Sequence, residues 1–304
     1  IDGSPHDWFE GRAPACTLIV FIDDATSELL ALRFVAAETT HAYMATLRTY
    51  LAEHGRPVAL YSDKHGIFRL NHPERDGELT QFSRALKTLD IAAIHANTPQ
   101  AKGRVERANG TLQDRLVKEM RLEGIGAMAT ANTWLPGFRR RYTLRFTQAP
   151  SSPIDAHRGV LHHAQEIELI LSLHHTRTVS KNLTFQFCNQ EYQIQYPSQG
   201  YQLRRAKITV CEPADGPVTV LHKGRTLAYR LLAEGAPPIP LENVGTGDAE
   251  PARLVTGSVL KFAPRKRRPA TAIGVVDAID SVPVRSLGRR VSSSKSSVTR
   301  FEVW

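Results

Sequence analysis

The sequence predicts a mixed α/β domain over residues 1–150, followed by a helical connector over 151–173 and a small antiparallel β-barrel over 174–235. Strand-like apolar runs alternate with helical periodicity in the first part, and six short strands separated by turn residues make up the third. Residues 236–304 are rich in Pro, Ser and basic side chains and show little apolar periodicity. We therefore expect this last part to be a disordered tail.

The first elements of the α/β part are a β-hairpin and a helix. Thr17–Ile22 is a continuous apolar run with β-branched residues, which is typical of a strand buried on both faces. A polar turn separates it from a second strand, Leu29–Val35, so the two should pair as a hairpin. Thr39 or Thr40 then caps a helix that ends at Gly55.

Strands and helices alternate after the hairpin. Pro57–Tyr61 and Ile91–Ile94 are short apolar segments, and Leu79–Leu89 between them has one apolar side. From Gly103 to Leu122, apolar residues recur every three or four positions, which predicts a long amphipathic helix. An initial hairpin followed by strand–helix–strand units indicates a mixed sheet with helices on both faces.

The charge of the chain favours a polyanionic partner. Lys and Arg number 39 against 30 Asp and Glu, a net charge of +9, and residues 236–304 alone hold 11 basic against 6 acidic side chains. Nucleic acid is the first candidate partner for such a protein. The basic run Arg265–Arg268 fits either an arm that contacts phosphates or a solvated tail with no fixed role.

Several other protein classes are disfavoured. No apolar run approaches the roughly 18–20 residues that span a bilayer. Cys16, Cys188 and Cys211 are far apart and odd in number, which argues against a disulfide scaffold or a structural zinc site and suits a reducing cytosol. Because the chain opens at Ile1 without Met, we expect it to be a fragment.

Three acidic residues are candidates for chemistry. Asp2 lies in the segment Ile-Asp-Gly-Ser-Pro, Asp63 follows a buried strand, and Glu106 lies in the first turn or so of the long helix. Carboxylates that converge at strand ends need a counter-charge, and Mg²⁺ or Mn²⁺ prefers such oxygen ligands. Two ions about 4 Å apart would clamp a phosphodiester. In the alternative interpretation, Asp63 is a turn residue, Glu106 complements the helix dipole and Asp2 is a surface charge.

Other residues compete for these places. Asp7, Asp23 and Asp24 are alternatives to Asp2, although Asp23 and Asp24 also suit the capping of the hairpin turn. Glu119 and Glu123 are alternatives to Glu106 but lie three or more turns further along the helix, roughly 20 Å away. Adjacent histidines point in different directions, so we expect no shared metal at the group His162, His163, Glu166, His174 and His175.

The three acidic segments resemble the catalytic core of DDE transposases and retroviral-type integrases. Residues 103–109 read Gly-Arg-Val-Glu-Arg-Ala-Asn, and the acids Asp2, Asp63 and Glu106 are separated by 61 and 43 positions. The likeness extends over residues 1 to about 235 and is to bacterial insertion-sequence transposases of the ISNCY kind. Lys64 departs from it, because it occupies the place of an Asn in the family's Ser-Asp-Asn-Gly motif. The family's N-terminal helix-turn-helix region has no counterpart in this sequence.

This resemblance implies a ribonuclease H-like core in which Asp2, Asp63 and Glu106 hold two Mg²⁺ or Mn²⁺ ions. It implies cleavage of DNA at element ends and transfer of the resulting 3′-hydroxyl into target DNA. Its partners would be terminal inverted repeats, target DNA and further copies of the chain in a synaptic complex, in the bacterial cytoplasm at the nucleoid and with no membrane. The residues expected to contact DNA are Lys64, Lys102, Arg104, Arg107, Asn109, Arg140 and Arg141.

Alternatives to this interpretation stay open. A nuclease of the same superfold would cut without joining, and a non-catalytic DNA-binding or assembly module would need none of the three acids. Arg104 and Arg107 also fit a solvated helix face, and Asn109 could either contact DNA or brace Glu106. Arg139–Arg141 with Tyr142 suits nucleic acid but equally one amphipathic helix that caps the core. Trp8 and Trp134 are expected in the core rather than as base-stacking platforms.

Overall fold

A layer of strands with helices on both faces forms the first half of the protein. The computed structural model describes residues 1–70, 78–96, 103–195 and 201–232. The strands of this half are β1 (Asp2–His6), β2 (Cys16–Ile22), β3 (Leu29–Val35), β4 (Arg56–Pro57), β5 (Ala59–Ser62) and β6 (Ala92–His95). The helices are α1 (Thr40–His54), α2 (Gln81–Thr88), α3 (Gly103–Leu122) and α4 (Met128–Phe146).

The order of the strands follows from three sets of backbone contacts. β1, β2 and β3 form an antiparallel sheet in which Asp2 pairs with Val20, and β5 pairs in parallel with β6. The backbone nitrogen of Ile1 donates to the carbonyl of Tyr61 at 2.6 Å. This bond places the start of β1 beside the end of β5, while β1–β2–β3 and β5–β6 form two separate sheets.

Alternate residues of β2 belong to two different cores. Ile19 and Phe21 pack with the buried residues of α1 and α2, whereas Leu18 and Val20 pack with those of α3 and α4. This is the pattern of a strand covered on both faces, as the apolar run predicted. The mixed α/β fold and the helices on both faces are therefore confirmed.

Helix α4 lies against the edge strand β3. The side-chain amide of Asn132 accepts from the backbone N–H of Phe34 at 2.8 Å and donates to its carbonyl at 3.0 Å. Pro136 lies inside the helix, where it removes one backbone donor. Arg139–Arg141 lie in this helix, whose buried residues pack on the core, and their predicted contact with DNA stays a prediction.

The second half begins with β7 (His157–Arg158), which pairs with β4, and α5 (Ala164–Ile170). A six-stranded antiparallel sheet in the order β8-β11-β12-β13-β10-β9 follows. Arg177 in β8 donates to the carbonyl of Gln186 in β9 at 3.2 Å, so the two edge strands nearly close the sheet. The sheet consists of β8 (Leu173–Thr178), β9 (Thr184–Phe187), β10 (Gln190–Gln195), β11 (Lys207–Glu212), β12 (Thr219–His222) and β13 (Arg225–Leu231).

Helix α2 connects the two halves. The guanidinium of Arg84 donates to the carbonyls of Ile170 at 3.0 Å and Ser172 at 2.7 Å, and burial lowers its pKa to about 10. The side-chain amide of Gln81 donates to the carbonyl of His174 at 2.8 Å and accepts from its N–H at 3.0 Å. These bonds fix the end of α5 and the start of β8 against α2.

The predicted tail lies outside the described residues. By its contacts the chain divides into two units, Ile1–Phe262 and Ala263–Trp304, and the second falls entirely in that part. Within the described ranges, no helix has both the length and the apolar character needed to cross a membrane.

Candidate active site

Asp2 lies at the start of β1 on the face of the sheet that α3 covers. Its strand partner Val20 packs in the core formed by α3 and α4. The side-chain amide of Asn109 in α3 donates to Oδ2 of Asp2 at 2.9 Å. One turn further along, Gln113 donates to Oγ of Ser4 at 3.1 Å. Two side chains of α3 therefore fasten this helix to β1, and Asn109 braces Asp2, a role that the sequence did not suggest.

Asp63 follows the end of β5 and lies close to the start of β1. Its Oδ1 accepts from the N–H of His65 at 2.8 Å, so it shapes the turn that follows the strand. Oγ of the preceding Ser62 lies 3.2 Å from Nδ1 of His95, at the end of the neighbouring strand β6. Because Ile1 bonds to Tyr61, the chain segments that carry Asp2 and Asp63 are adjacent. Asp63 thus stabilises the turn after β5, and this contact is compatible with metal binding by the same carboxylate.

The electrostatics of Tyr43 support the closeness of these two acids. Its ring is fully buried, and its hydroxyl donates to Oε1 of Glu38 at 2.8 Å. The pKa of Tyr43 is raised strongly, first by burial, then by the negative charge of Glu38 and its hydrogen bond, and further by the charges of Asp2 and Asp63. One hydroxyl therefore lies within electrostatic range of both predicted acids and of Glu38.

Glu106 lies on an exposed part of α3, in its first turn. It precedes Asn109 by three positions, and residues three apart are neighbours on a helix surface. Across the described ranges, no three Asp, Glu, His or Cys side chains are grouped closely enough to hold a metal ion. Ionised carboxylates repel one another, which opposes closer grouping. The structure thus places the segment of Asp2 beside that of Asp63. Glu106 lies one turn from Asn109, which donates to Asp2. Among the described residues, the three acids do not form a group of metal ligands.

The basic residues predicted near the site differ in their surroundings. Arg104 donates to Oγ of Ser27 at 2.8 Å and forms an ion pair with Asp24 at 3.3 Å, so it ties α3 to the β2–β3 turn. Arg107 and Lys64 are exposed. Lys102 lies outside the described residues. These contacts place Arg104 and Arg107 at the helix end that also carries Glu106.

The arginines of α4 pack on aromatic rings and acids. Arg141 donates to Glu119 at 2.9 Å, and its guanidinium lies 5.1 Å from the ring centre of Trp134. Arg139 donates to the carbonyl of Leu30 and to Glu53. Arg140 is exposed on the same helix. Trp134 packs partly buried against the core and Trp8 is fully buried, as expected.

The acids that competed with the three candidates nearly all have structural partners. Asp23 accepts from the N–H and the hydroxyl of Thr26 at 2.8 and 2.5 Å, which is the turn capping that the sequence suggested. Asp7 accepts from the N–H of Gly11 at 3.1 Å, beyond the end of β1 opposite to Asp2. Asp24 pairs with Arg104 and Glu119 pairs with Arg141. Glu123 is exposed and follows the last residue of α3.

The histidines of the second half also have structural roles. Nε2 of His174 lies 2.9 Å from the carbonyl of Leu169, and Nε2 of His175 lies 2.8 Å from Glu212. Glu166 accepts from the N–H of His163 at 3.2 Å and so caps α5.

A cavity of about 260 Å³ adjoins the candidate site. Ile1, Tyr61 and Ser62 line it on one side, and Arg104 and Val105 from the first turn of α3 line it on another. The cavity therefore opens where β1, β5 and α3 meet.

Glu38, in the loop before α1, also lies beside β1, although the sequence did not single it out. A Cβ atom built on Gly3 would lie 2.7 Å from Cδ of Glu38 and 2.8 Å from each of its oxygens. The missing side chain of Gly3 is thus what lets this carboxylate reach β1. A Gly directly after a candidate acid was the signal available, since it permits a close approach.

Comparison with known proteins identifies relatives. No family model matches the chain. It is 44% identical over 234 residues to a protein of Sinorhizobium fredii (strain NBRC 101917 / NGR234) named "Putative transposase y4bF", a match that covers 76% of this chain and 51% of the relative. It is 32% identical over 224 residues to the transposase for insertion sequence IS1202 of Streptococcus pneumoniae, covering 72% and 47%. The chain is homologous to bacterial insertion-sequence transposases.

These relatives are longer proteins, and the chain spans about half the length of each. Among solved structures, the chain is similar to one from the cryo-EM structure of a simian T-cell lymphotropic virus intasome in complex with PP2A regulatory subunit B56 gamma. That match has 16% identity and a TM-score of 0.36, and it covers 72% of this chain and 73% of the other. A similarity this low supports no conclusion about fold or function.

Proposed function

We propose that this chain carries the catalytic core of a DDE-type transposase. It would cleave DNA at the ends of its element in a metal-dependent reaction and join the resulting 3′-hydroxyl to target DNA. The observation that carries the proposal is the meeting of β1, β5 and α3. The bond from Ile1 to Tyr61 aligns the segments of Asp2 and Asp63, and the bond from Asn109 to Asp2 adds the helix of Glu106.

The strand order supports a ribonuclease H-like core. The antiparallel hairpin β2–β3 lies in sequence between the first two acids, and the parallel pair β5–β6 lies on the other side of β1. Helices cover both faces of these strands. Sites in such sheets form beside the strand ends, which is where Asp63 and the cavity lie.

The chemistry of the three acids suits divalent metal ions. Asp2, Asp63 and Glu106 would hold two Mg²⁺ or Mn²⁺ ions, because both metals prefer carboxylate oxygens. Oδ1 of Asn109 is buried and has no hydrogen-bond partner in the described part of the chain, although the same amide donates to Asp2. A buried acceptor of this kind suits a water molecule bound to a nearby cation. When bound, such ions activate a water or a hydroxyl and stabilise the leaving oxygen.

The protein itself would position the acids and the DNA. Asn109 holds one oxygen of Asp2, and the N–H of His65 holds one oxygen of Asp63, so both carboxylates have fixed orientations. Lys64, Arg107 and, outside the described residues, Lys102 would contact phosphates close to the acids. Arg104, Arg140 and Arg141 would contribute further contacts, and the chain would act as a homo-oligomer in a synaptic complex.

A strand-transfer assay tests this proposal. The full chain is incubated with Mg²⁺ or Mn²⁺, a plasmid target and a labelled duplex whose recessed end presents a 3′-hydroxyl. We expect joined products for the unaltered chain, none for Asp63→Asn, and normal amounts for Glu123→Gln, a matched acid-to-amide change beyond the other end of α3. A nuclease without strand transfer would give nicked but no joined products. A non-catalytic DNA-binding module would give activity that Asp63→Asn leaves intact.

A further inference from the structure

We propose that Glu38 is a positioning residue of this site. Tyr43 holds its carboxylate against the backbone of Gly3, and from there its negative charge strengthens the binding of divalent cations by Asp2 and Asp63. The inference rests on the proposed function, because it assigns a role in the same metal site.

The position of Glu38 is defined from two sides. The hydroxyl of Tyr43 donates to its Oε1 at 2.8 Å, and this ring is fully buried in the core between α1 and the sheet. On the other side, a Cβ on Gly3 would meet Cδ of Glu38 at 2.7 Å and both oxygens at 2.8 Å. A carboxylate held between a rigid phenol and a glycine has little freedom to turn away.

Glu38 and Asp2 lie on opposite faces of the same strand. Gly3 pairs with Ile19, which faces the core of α1 and α2, whereas Asp2 pairs with Val20, which faces α3 and α4. Consecutive Cα atoms are about 3.8 Å apart, so the carboxylate of Glu38 lies within about 8 Å of the Cα of Asp2. Glu38 is therefore a close neighbour of the site that Asp2 and Asp63 form, without being one of the predicted ligands.

The negative charges of Glu38, Asp2 and Asp63 all act on the hydroxyl of Tyr43. The pKa of Tyr43 is raised by burial and by Glu38, and also by Asp2 and Asp63. Negative charges gathered around a partly buried position are stabilised by a cation. The buried Oδ1 of Asn109, which has no partner among the described residues, adds an acceptor beside Asp2. This acceptor is an independent sign that a donor, such as a cation-bound water, belongs there.

Neutralising Glu38 should weaken cation binding without breaking its contacts. Gln has the same shape, and its carbonyl oxygen can accept the hydrogen bond from Tyr43. We expect Glu38→Gln to weaken Mn²⁺ binding about threefold, the effect of removing a unit charge roughly 12 Å from a divalent ion in a water-like dielectric. A purely structural role would instead leave Mn²⁺ affinity unchanged in this variant.

Calorimetric titration of the full chain with Mn²⁺ provides the test, with thermal unfolding measured on each variant. The series comprises the unaltered chain, Glu38→Gln, Asp63→Asn and the control Glu123→Gln, which removes the same charge about 25 Å from Glu106 along the α3 axis. We expect weaker binding for Glu38→Gln, a larger loss for Asp63→Asn and no change for Glu123→Gln. If Glu38→Gln does not fold, Gly3→Ala displaces the same carboxylate and should weaken binding similarly.

The outcomes separate the two proposals. If Asp63→Asn abolishes Mn²⁺ binding while folded Glu38→Gln or Gly3→Ala binds as the unaltered chain does, the role of Glu38 is refuted and the metal site stands. If the unaltered chain binds no Mn²⁺, or binds it equally well with Asp63→Asn, the metal site itself is refuted and the role of Glu38 with it.

Discussion

Replacing Arg84 by Met should reveal how strongly the two halves of the protein are joined. The guanidinium of Arg84 donates to the carbonyls of Ile170 and Ser172 at 3.0 and 2.7 Å and to Oε1 of Gln81 at 3.1 Å. Ile170 is the last residue of α5, and the final carbonyls of a helix lack partners within the helix. Arg84 therefore supplies the hydrogen bonds that the end of α5 needs where it meets α2.

The expected loss of stability follows from those two carbonyls. Ile170 and Ser172 are each 2% exposed, so water cannot readily replace the missing donor. A buried polar group left without a partner costs about 1–3 kcal/mol, so leaving both carbonyls unpaired in Arg84→Met should lower the free energy of unfolding by about 2–6 kcal/mol. Met retains part of the aliphatic packing, which keeps the effect attributable to the lost hydrogen bonds.

Urea unfolding followed by circular dichroism measures this difference. The control is Arg48→Met, which removes an exposed ion pair with Glu168 at 2.9 Å and should cost less than about 1 kcal/mol. A loss for Arg84→Met no greater than that of the control would refute the view that Arg84 caps α5.

Two further predictions concern stability. Asn132→Ala should cost about 1–3 kcal/mol, because it removes both bonds to the backbone of the edge-strand residue Phe34; urea unfolding checks this, and a value near zero would contradict it. Burial and the charge of Arg84 lower the pKa of His174, so the unfolded chain binds the proton more readily and stability should fall as the pH drops through about 6.5. Thermal unfolding between pH 8 and 5 should show a shallower fall for His174→Gln, and an identical slope would contradict this assignment.

The sequence predicted best those elements in which the spacing of apolar residues indicates which faces are buried. The run Thr17–Ile22 lies between two cores, and the apolar residues of Gly103–Leu122 recur at helical spacing. In both segments the local sequence pattern therefore indicates which residues are buried. Helix α4 was harder to identify because Pro136, a residue that disfavours helix, lies inside it and because arginines are interleaved with aromatic residues there. That alternation suits DNA contact as well as stacking of Arg141 on Trp134.

In the candidate site, too, local sequence segments were predictable, whereas contacts between distant residues were not. The three acids were predicted as site residues because each lies in a recognisable local segment. The contacts of Asn109 with Asp2 and of Glu38 with Gly3 were not predicted, because each joins residues distant in sequence. Asp2 lies 107 positions from Asn109, and Glu38 reaches Gly3 only because Gly3 has no side chain. Pairing of that kind is set by tertiary packing rather than by any periodic pattern.

The most direct test of the account is a crystal structure of the chain soaked with Mn²⁺, with data collected at a wavelength where manganese scatters anomalously. We expect an anomalous peak about 2.0–2.3 Å from carboxylate oxygens of both Asp2 and Asp63, with Glu106 turned toward it. Well-ordered carboxylates with no manganese between Asp2 and Asp63 at saturating Mn²⁺ would contradict it.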